Sequence, residues 1–438
     1  MRRLIILGSL GFISNLNMNL SQAAGFYVAP KGAVGIGLAH VGNAARASDG
    51  STVFYNPAGM TLLNGVVIQG GADLIFPNIN IINNDSIATT PGTGGKTLFY
   101  SGGNGMAGDP TPIPNIYYAR PLGGGKIRLG ISLTAPFGLA LDYGKTWFGR
   151  YDSIYNKLTT INIAPAMAYR INQSWSIGGG INFEYSNATL TNALPNSFNP
   201  GGPTAVSDGL AKVKGDSFDV GYNIGILYHN DKTRLGFHYR SSIKHGMEGK
   251  TTISNLTGPL AGGNGIFTTN VDLAVPAIAS IAVAHNVTDR LRLLAEMQWF
   301  GWSSFDEIRI EFRNGMPDGI RPQNFKDTLS AGVSFEYQWV EKWQWRSGIL
   351  IDESPTSNKF RNSSIPDSNQ IWYGIGTTFR PSTKWSVDLG YTHSDFESKN
   401  INLLIPNFIG TPAAGMTNVR GRTDNDVNVY SINVRYNF

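Results

Sequence analysis

The sequence predicts an all-β chain, a 14-stranded antiparallel transmembrane β-barrel with a small N-terminal hatch inside it. Three observations carry that expectation. From Gly65 onward, apolar and polar residues alternate over segments of about ten positions, separated by turns rich in Gly, Asn, Pro and Asp. Successive strand side chains point to opposite faces, so each segment has one oily and one wet face. The chain stops on an alternating aromatic strand, in which Tyr430, Ile432, Val434, Tyr436 and Phe438 interleave with Ser431, Asn433, Arg435 and Asn437. Only 15% of residues are charged, against roughly 25% in an ordinary soluble domain.

The elements follow in order. Met1-Arg2-Arg3, an apolar run over 4–13 and Ser21-Gln22-Ala23 have the charge, length and small residues of an export signal cut after Ala23. Residues 24–65 follow, without strand periodicity. They are rich in Gly and Ala, yet Phe54, Tyr55, Met60, Leu62 and Leu63 are too apolar for a solvated tail. A segment of this kind, tethered to a wide barrel, folds most economically inside it as a hatch. Within it, Asn56-Pro57-Ala58 reads as a turn, since Pro fixes φ, the Asn side chain caps and Ala permits close approach. Ser51 opens the same motif.

Residues 66–438 form the barrel. Strands are predicted at 66–76, 113–121, 126–137, 158–170, 174–188, 215–229, 233–246 and 270–286, then at 290–305, 326–338, 343–353, 370–380, 384–396 and 427–438. An even number lets an antiparallel sheet close, and closure leaves no unpaired backbone edge in lipid. About 9–11 tilted residues cross a bilayer. Long loops are predicted at 77–112, 189–214 and 397–426. Aromatic pairs near segment ends (Tyr117 with Tyr118, Trp299 with Trp302, Trp372 with Tyr373, and Trp339 with Trp343 and Trp345) read as interfacial girdles. The third strand ends in Ala135-Pro136-Phe137-Gly138. Pro136 cannot donate to a ladder and Gly138 tolerates a kink, so a break in pairing is predicted there.

Composition excludes several function classes. With no Cys, thiol catalysis, Cys-ligated zinc, iron–sulfur clusters and disulfides are out. A formal charge of +5, scattered along the chain, lacks the basic stripe of a nucleic-acid binder. The six histidines have no metal-ligand spacing, so no metal or other cofactor is expected. His238 and His245, seven apart, would face opposite sides of one strand. Thr90 to Thr97 has the look of a phosphate loop but starts on Thr and lacks a strand–helix context. No catalytic residues are assigned.

The stretch AGFYVAPKGAVGIGLAHVGNAARASDGSTVFYNPAGMTLL resembles the N-terminal hatch of the FadL/TodX family, outer-membrane transporters of long-chain fatty acids and hydrophobic compounds. The similarity continues through TAPFGLALDYGKTWFGRY, GYNIGILYHNDKTRLGFHYRSSIKHGMEG, WSSFDEI and GILIDESPTSNKFRNSSIPDSNQIW to the aromatic terminus, so it spans the mature chain. The resemblance implies passive capture of an apolar solute at extracellular loops, transfer to an internal pocket, and sideways release through a gap at Ala135, Pro136, Phe137 and Gly138. It implies that Phe26 reaches the pocket, and that a carboxylate ligand would meet a cation. Arg321 lies where the family places a basic residue, and Arg150 and Arg240 are further candidates. It also implies a monomer in contact with outer-membrane lipid and lipopolysaccharide. The C-terminal strand resembles the signature read by the barrel-assembly machinery. One departure is Asp367-Ser368-Asn369-Gln370, where the family often carries an acidic residue with an Arg after Ile-Pro-Asp. Two rival readings are a general diffusion porin, which needs an open lumen, and a surface adhesin acting through the loops.

Overall fold

The computed structural model describes residues 25–28 and 31–438. The leader expected over 1–23 lies outside the described residues. The barrel strands are β1 Val67–Asn83, β2 Thr111–Leu122, β3 Ile127–Thr134 with Gly138–Asp142, β4 Tyr155–Arg170, β5 Trp175–Leu194, β6 Gly209–His229 and β7 Thr233–Arg240 with Ile243–Ser254. The second half comprises β8 Gly265–Val275 with Ile278–Asn286, β9 Leu291–Phe300 with Glu307–Phe312, β10 Thr328–Val340, β11 Trp343–Asp352, β12 Gln370–Phe379, β13 Trp385–Phe396 and β14 Gly415–Asn437. Each pairs antiparallel with its neighbours, and β1 closes the cylinder on β14 from Val67↔Asn437 to Asn83↔Gly421. The result is a closed 14-strand barrel.

Alternation places the oily face outside. On β6, Phe218, Val220, Tyr222, Ile224 and Ile226 are exposed, while Gly221, Asn223 and Gly225 between them are buried. Several strands outrun the expected spans. β5, β6 and β14 have 20, 21 and 23 residues, roughly twice the 9–11 that cross a bilayer. The predicted long loops are therefore partly strand: 77–83, 189–194, 209–214 and 415–426 continue the ladder beyond the apolar band. Hydrogen bonding to a neighbour, which hydropathy does not record, extends them. The short turns all lie at the end where β1 begins and β14 ends, and the long loops lie at the other.

Two expectations are overturned by register. His238 and His245 both face inward, at 4% and 0% exposure. Between them β7 carries one extra residue: Asn223 pairs with Arg240, but Asp216 pairs with Glu248. A bulge of one residue reverses the side-chain parity beyond it. The aromatic pairs also divide, because adjacent residues on a strand take opposite faces. Tyr117 and Trp372 are buried inside while Tyr373 faces out, and Trp302 leaves the girdle for the lumen altogether. Trp339 and Trp345 remain exposed on the outer face.

The hatch lies within the barrel. Helices α1 Ala33–Gly37, α2 Asn43–Arg46 and α3 Thr52–Tyr55 and a 3-10 turn at Pro57–Leu62 are almost wholly buried and pack against the inner wall. The wall accommodates this approach with glycine. A Cβ at Gly225 would come within 2.0 Å of Asn56 Oδ1, and one at Gly348 within 2.2 Å of the Leu38 carbonyl oxygen.

Candidate functional site

β3 is interrupted between Thr134 and Gly138. Its lower part pairs with β2, ending at Ile116↔Leu133. Its upper part, Gly138–Asp142, pairs with β4, and the facing residues of β2, Thr111 to Asn115, pair with β1. The upper halves of β2 and β3 thus have no ladder between them. Pro112 and Pro114 lie on that stretch of β2. They supply no N–H, and a ladder tolerates such residues at an edge. Two prolines two positions apart are a sequence signal for such an edge.

The N-terminal segment covers the interruption. The Val28 amide donates to the Pro136 carbonyl and the Gly138 amide to the Phe26 carbonyl, both at 2.9 Å. Tyr27 and Phe137 form an antiparallel bridge. Thr160 completes the accounting, accepting from the Phe137 amide at 3.0 Å and donating to its carbonyl at 2.6 Å. The kink's polar backbone is thus satisfied by residues 26–28 and one side chain instead of a neighbouring strand. On the luminal side an apolar cluster of Val28, Ile75, Ile113, Ala135 and Val427 backs the interruption.

Phe26 sits in an aromatic box. Its ring lies edge-on to Trp302 at 4.8 Å, Phe305 at 5.1 Å and Phe137 at 6.1 Å. Trp302 and Phe305 come from an excursion that breaks β9 between Phe300 and Glu307, and Phe325 lies edge-on to both, at 5.8 and 5.0 Å. The aromatic spacing in Trp299-Phe300-Gly301-Trp302-Ser303-Ser304-Phe305 departs from the two-residue repeat, which is where a luminal excursion was legible. The apolar cluster continues toward the loop end through Leu139, Trp147, Phe148, Ile243 and Ile401.

A second unforeseen element is the loop 353–369, most of which is buried. It crosses the lumen. Ser363 donates through its amide and hydroxyl to Asp152, both at 2.6 Å, and the Pro366 carbonyl accepts from Asn425 at 2.9 Å. Asp367 accepts from the Ser354 hydroxyl at 2.6 Å and from Gln370 at 3.0 Å. The Gly25 amide also points to its carboxylate. Burial pushes the Asp367 carboxyl up to about 6, against the pull of these donors and of Arg361.

The three candidate arginines are all engaged. Arg150 is fully buried among loops, donating to Asp208 (2.8 Å), the Ser101 carbonyl (2.8 Å) and the Tyr151 hydroxyl (2.8 Å). Arg321 binds the Asp152 carbonyl at 3.0 Å and Asn192 at 2.6 Å, and burial lowers its pKa. Both act as loop ties. Arg240 lies in the lumen, donating to Asn182 at 2.7 Å and to the Phe54 carbonyl at 3.2 Å, with its guanidinium 4.0 Å over the Phe54 ring.

The hatch motif is a docking joint. Asn56 donates through Nδ2 to the carbonyls of Ala44 (2.7 Å), Ile226 (3.1 Å) and Phe237 (3.3 Å), and its Oδ1 accepts from the Ala58 amide at 3.2 Å. Pro57 opens the 3-10 turn and Ala58 is fully buried. Ser51 donates to Asp49 at 2.5 Å, and Asp49 pairs with Arg46 at 2.5 Å.

Residues 16–438 match the profile of the outer membrane protein transport proteins (OMPP1/FadL/TodX). The chain belongs to that family. It is 29% identical over 401 residues to a long-chain fatty acid transport protein of Salmonella typhi, covering 87% of this chain and 89% of that one. It is 25% identical over 453 residues to outer membrane protein P1 of Haemophilus influenzae, covering 95% and 96%. The fold superimposes on a Pseudomonas aeruginosa FadL homologue with a TM-score of 0.83 at 23% identity, over 95% of this chain and 100% of that one. The Pseudomonas putida toluene transporter TodX gives 0.69 at 16%, over 95% and 100%. The protein is an outer-membrane β-barrel transport protein.

Proposed function

We propose that this barrel passes long-chain fatty acids or other hydrophobic compounds across the outer membrane without energy input, with sideways release between β2 and β3. The observation that carries the reading is the interrupted wall of β3, whose free backbone groups are held by Phe26–Val28 instead of a strand. Ligand enters along this apolar cluster from the loop end and displaces Phe26 from its aromatic box. Withdrawal of the N-terminal segment then uncovers the space between the upper halves of β2 and β3. Transfer to lipid favours each CH₂ by about 0.8 kcal/mol, so an oily chain leaves downhill through a side opening and never meets bulk water. Relatives named as fatty acid and toluene transporters support the substrate class. A lumen filled by hatch and aromatic side chains argues against an open porin. The deeper roles go to Phe26, Asp367 and the β3 break, and Arg150 and Arg321 serve the loops.

A staple tests this. Tyr27 and Phe137 face each other at a bridge whose flanking residues make the two hydrogen bonds, the pair type with Cα atoms about 4.5 Å apart, within disulfide reach. The chain contains no other cysteine. In the double variant Tyr27→Cys/Phe137→Cys, the oxidised protein is expected to lose fatty acid uptake at least tenfold and to regain it with dithiothreitol. Uptake by the oxidised protein at the reduced rate would overturn the proposal.

A further inference from the structure

Among the described residues, Lys31 is the buried Lys or Arg whose head group makes no hydrogen bond. Every other buried cation in the barrel or loops has a carboxylate, carbonyl, amide or hydroxyl partner, including Arg46, Arg128, Arg150, Arg240, Arg346, Arg361 and Arg435. Lys31 is 1% exposed. Its Nζ lies 4.7 Å from the centre of the Tyr27 ring and 5.3 Å from that of Phe54. The nearby carboxylate, Asp73, is committed elsewhere: it accepts from Ser431 and, at 3.0 Å, from Asn115, with the Gly32 amide as a third donor. Burial pushes the Lys31 amine well below the ordinary lysine range, with Asp73 opposing.

An ammonium with ring faces for company and no anion is costly, because burial of an unpaired charge forfeits its hydration. Cation–π contact returns part of that. The chain tolerates this arrangement beside the very segment that covers the β3 break. Tyr27, which shields Lys31 on one side, is the residue bridged to Phe137. Movement of Phe26–Val28 away from the break removes the Tyr27 face from Nζ and opens it toward the lumen.

We infer that Lys31 is the residue that reads a carboxylate on the transported molecule, so that this barrel selects long-chain monocarboxylates over neutral hydrocarbons of equal length. The inference rests on the transport reading above and deepens it at the same site. The aliphatic tail lies along Ile75, Ile113 and Ala135, the apolar wall that Val28 vacates, and the carboxylate supplies the counter-ion that Asp73 does not. Arg240, on the other cation contact of Phe54, keeps its Asn182 partner throughout.

Binding of oleate and of oleyl alcohol to the full-length protein in detergent tests this directly, since the two probes share a chain and differ in head group. Lys31→Met preserves length and removes the charge, and native heat-modifiable migration on gels confirms a folded barrel. Wild type is expected to prefer oleate. Lys31→Met is expected to lose at least tenfold in oleate affinity with oleyl alcohol unchanged, and Lys31→Arg to retain most of the oleate preference. Oleate affinity unchanged in Lys31→Met would overturn the inference and leave the transport reading standing. Equal loss for both probes would overturn it too, since packing would then explain the effect, and so would a wild type without head-group preference. A wild type that binds neither probe overturns both readings.

Discussion

Asp367 shows how a single buried group sets the poise of the site. Its carboxyl sits up at about 6, chiefly through burial, while Ser354, the Gly25 amide and Arg361 hold the ionised form. An acid raised above its ordinary value of about 3.9 favours the closed arrangement fully below that value. That contribution is lost as pH rises through about 6, by up to ~3 kcal/mol. Protection of the Phe26–Val28 amides from hydrogen exchange should therefore fall between pH 5 and pH 7. Asp367→Asn should abolish that dependence, and a wild-type profile flat over this range would refute it. The sequence displayed Asp367 in the Ile-Pro-Asp turn, but its contact with Gly25 joins residues more than three hundred positions apart. Lys31 was hidden for a related reason. A lysine in a Gly- and Ala-rich stretch reads as solvated until its surroundings are known.

Among the elements, β3 was the most legible. Proline and glycine within three positions announce a break on chemical grounds alone. What the residues did not announce is the replacement partner, because Phe26–Val28 is over a hundred positions away and has no strand pattern. The variant Pro136→Val/Gly138→Val restores an N–H and β-branched side chains to the break. It should reduce uptake severalfold while leaving ligand affinity within about twofold, since the aromatic box is untouched. Unchanged uptake would show that the break is not the exit. The bulge in β7 was invisible for another reason. Bulges are defined by the residue count on the partner strand, and Arg240-Ser241-Ser242-Ile243 carries no glycine or proline to betray one.

At the scale of the molecule, the hatch stays in the barrel through polar docking as much as apolar packing. The Arg46–Asp49 pair borders a polar cavity of about 290 Å³ at the short-turn end, with Glu336, Arg346, Asp388 and Arg435 around it. Burial by itself would raise the Asp49 carboxyl, but Arg46 and Arg435 outweigh it and hold it below the ordinary carboxylate range. This contribution to docking is present at neutral pH and is lost as pH falls below about 4, through that depressed value. Asp49→Asn leaves Arg46 buried without its counter-ion, a loss of about 3–5 kcal/mol. Planar-bilayer recordings should then show larger and noisier ion currents from a still-folded barrel. Currents at the wild-type level would mean that Asn56 and the apolar contacts suffice to hold the hatch.

The amino-acid sequence determined by itself what depends on neighbours along the chain. Two-residue periodicity, turn chemistry and the scarcity of charge established a membrane barrel, and the apolar residues between Phe54 and Leu63 required a segment sheltered inside it. Tertiary structure decided everything that depends on register and on closure of the cylinder. It brought Asp367, Trp302 and Phe305 to Phe26, committed Arg150 and Arg321 to loop ties, and left Lys31 facing aromatic rings. The physical reason is that a strand records which face a residue takes, while the neighbour across the lumen is chosen only when the barrel closes.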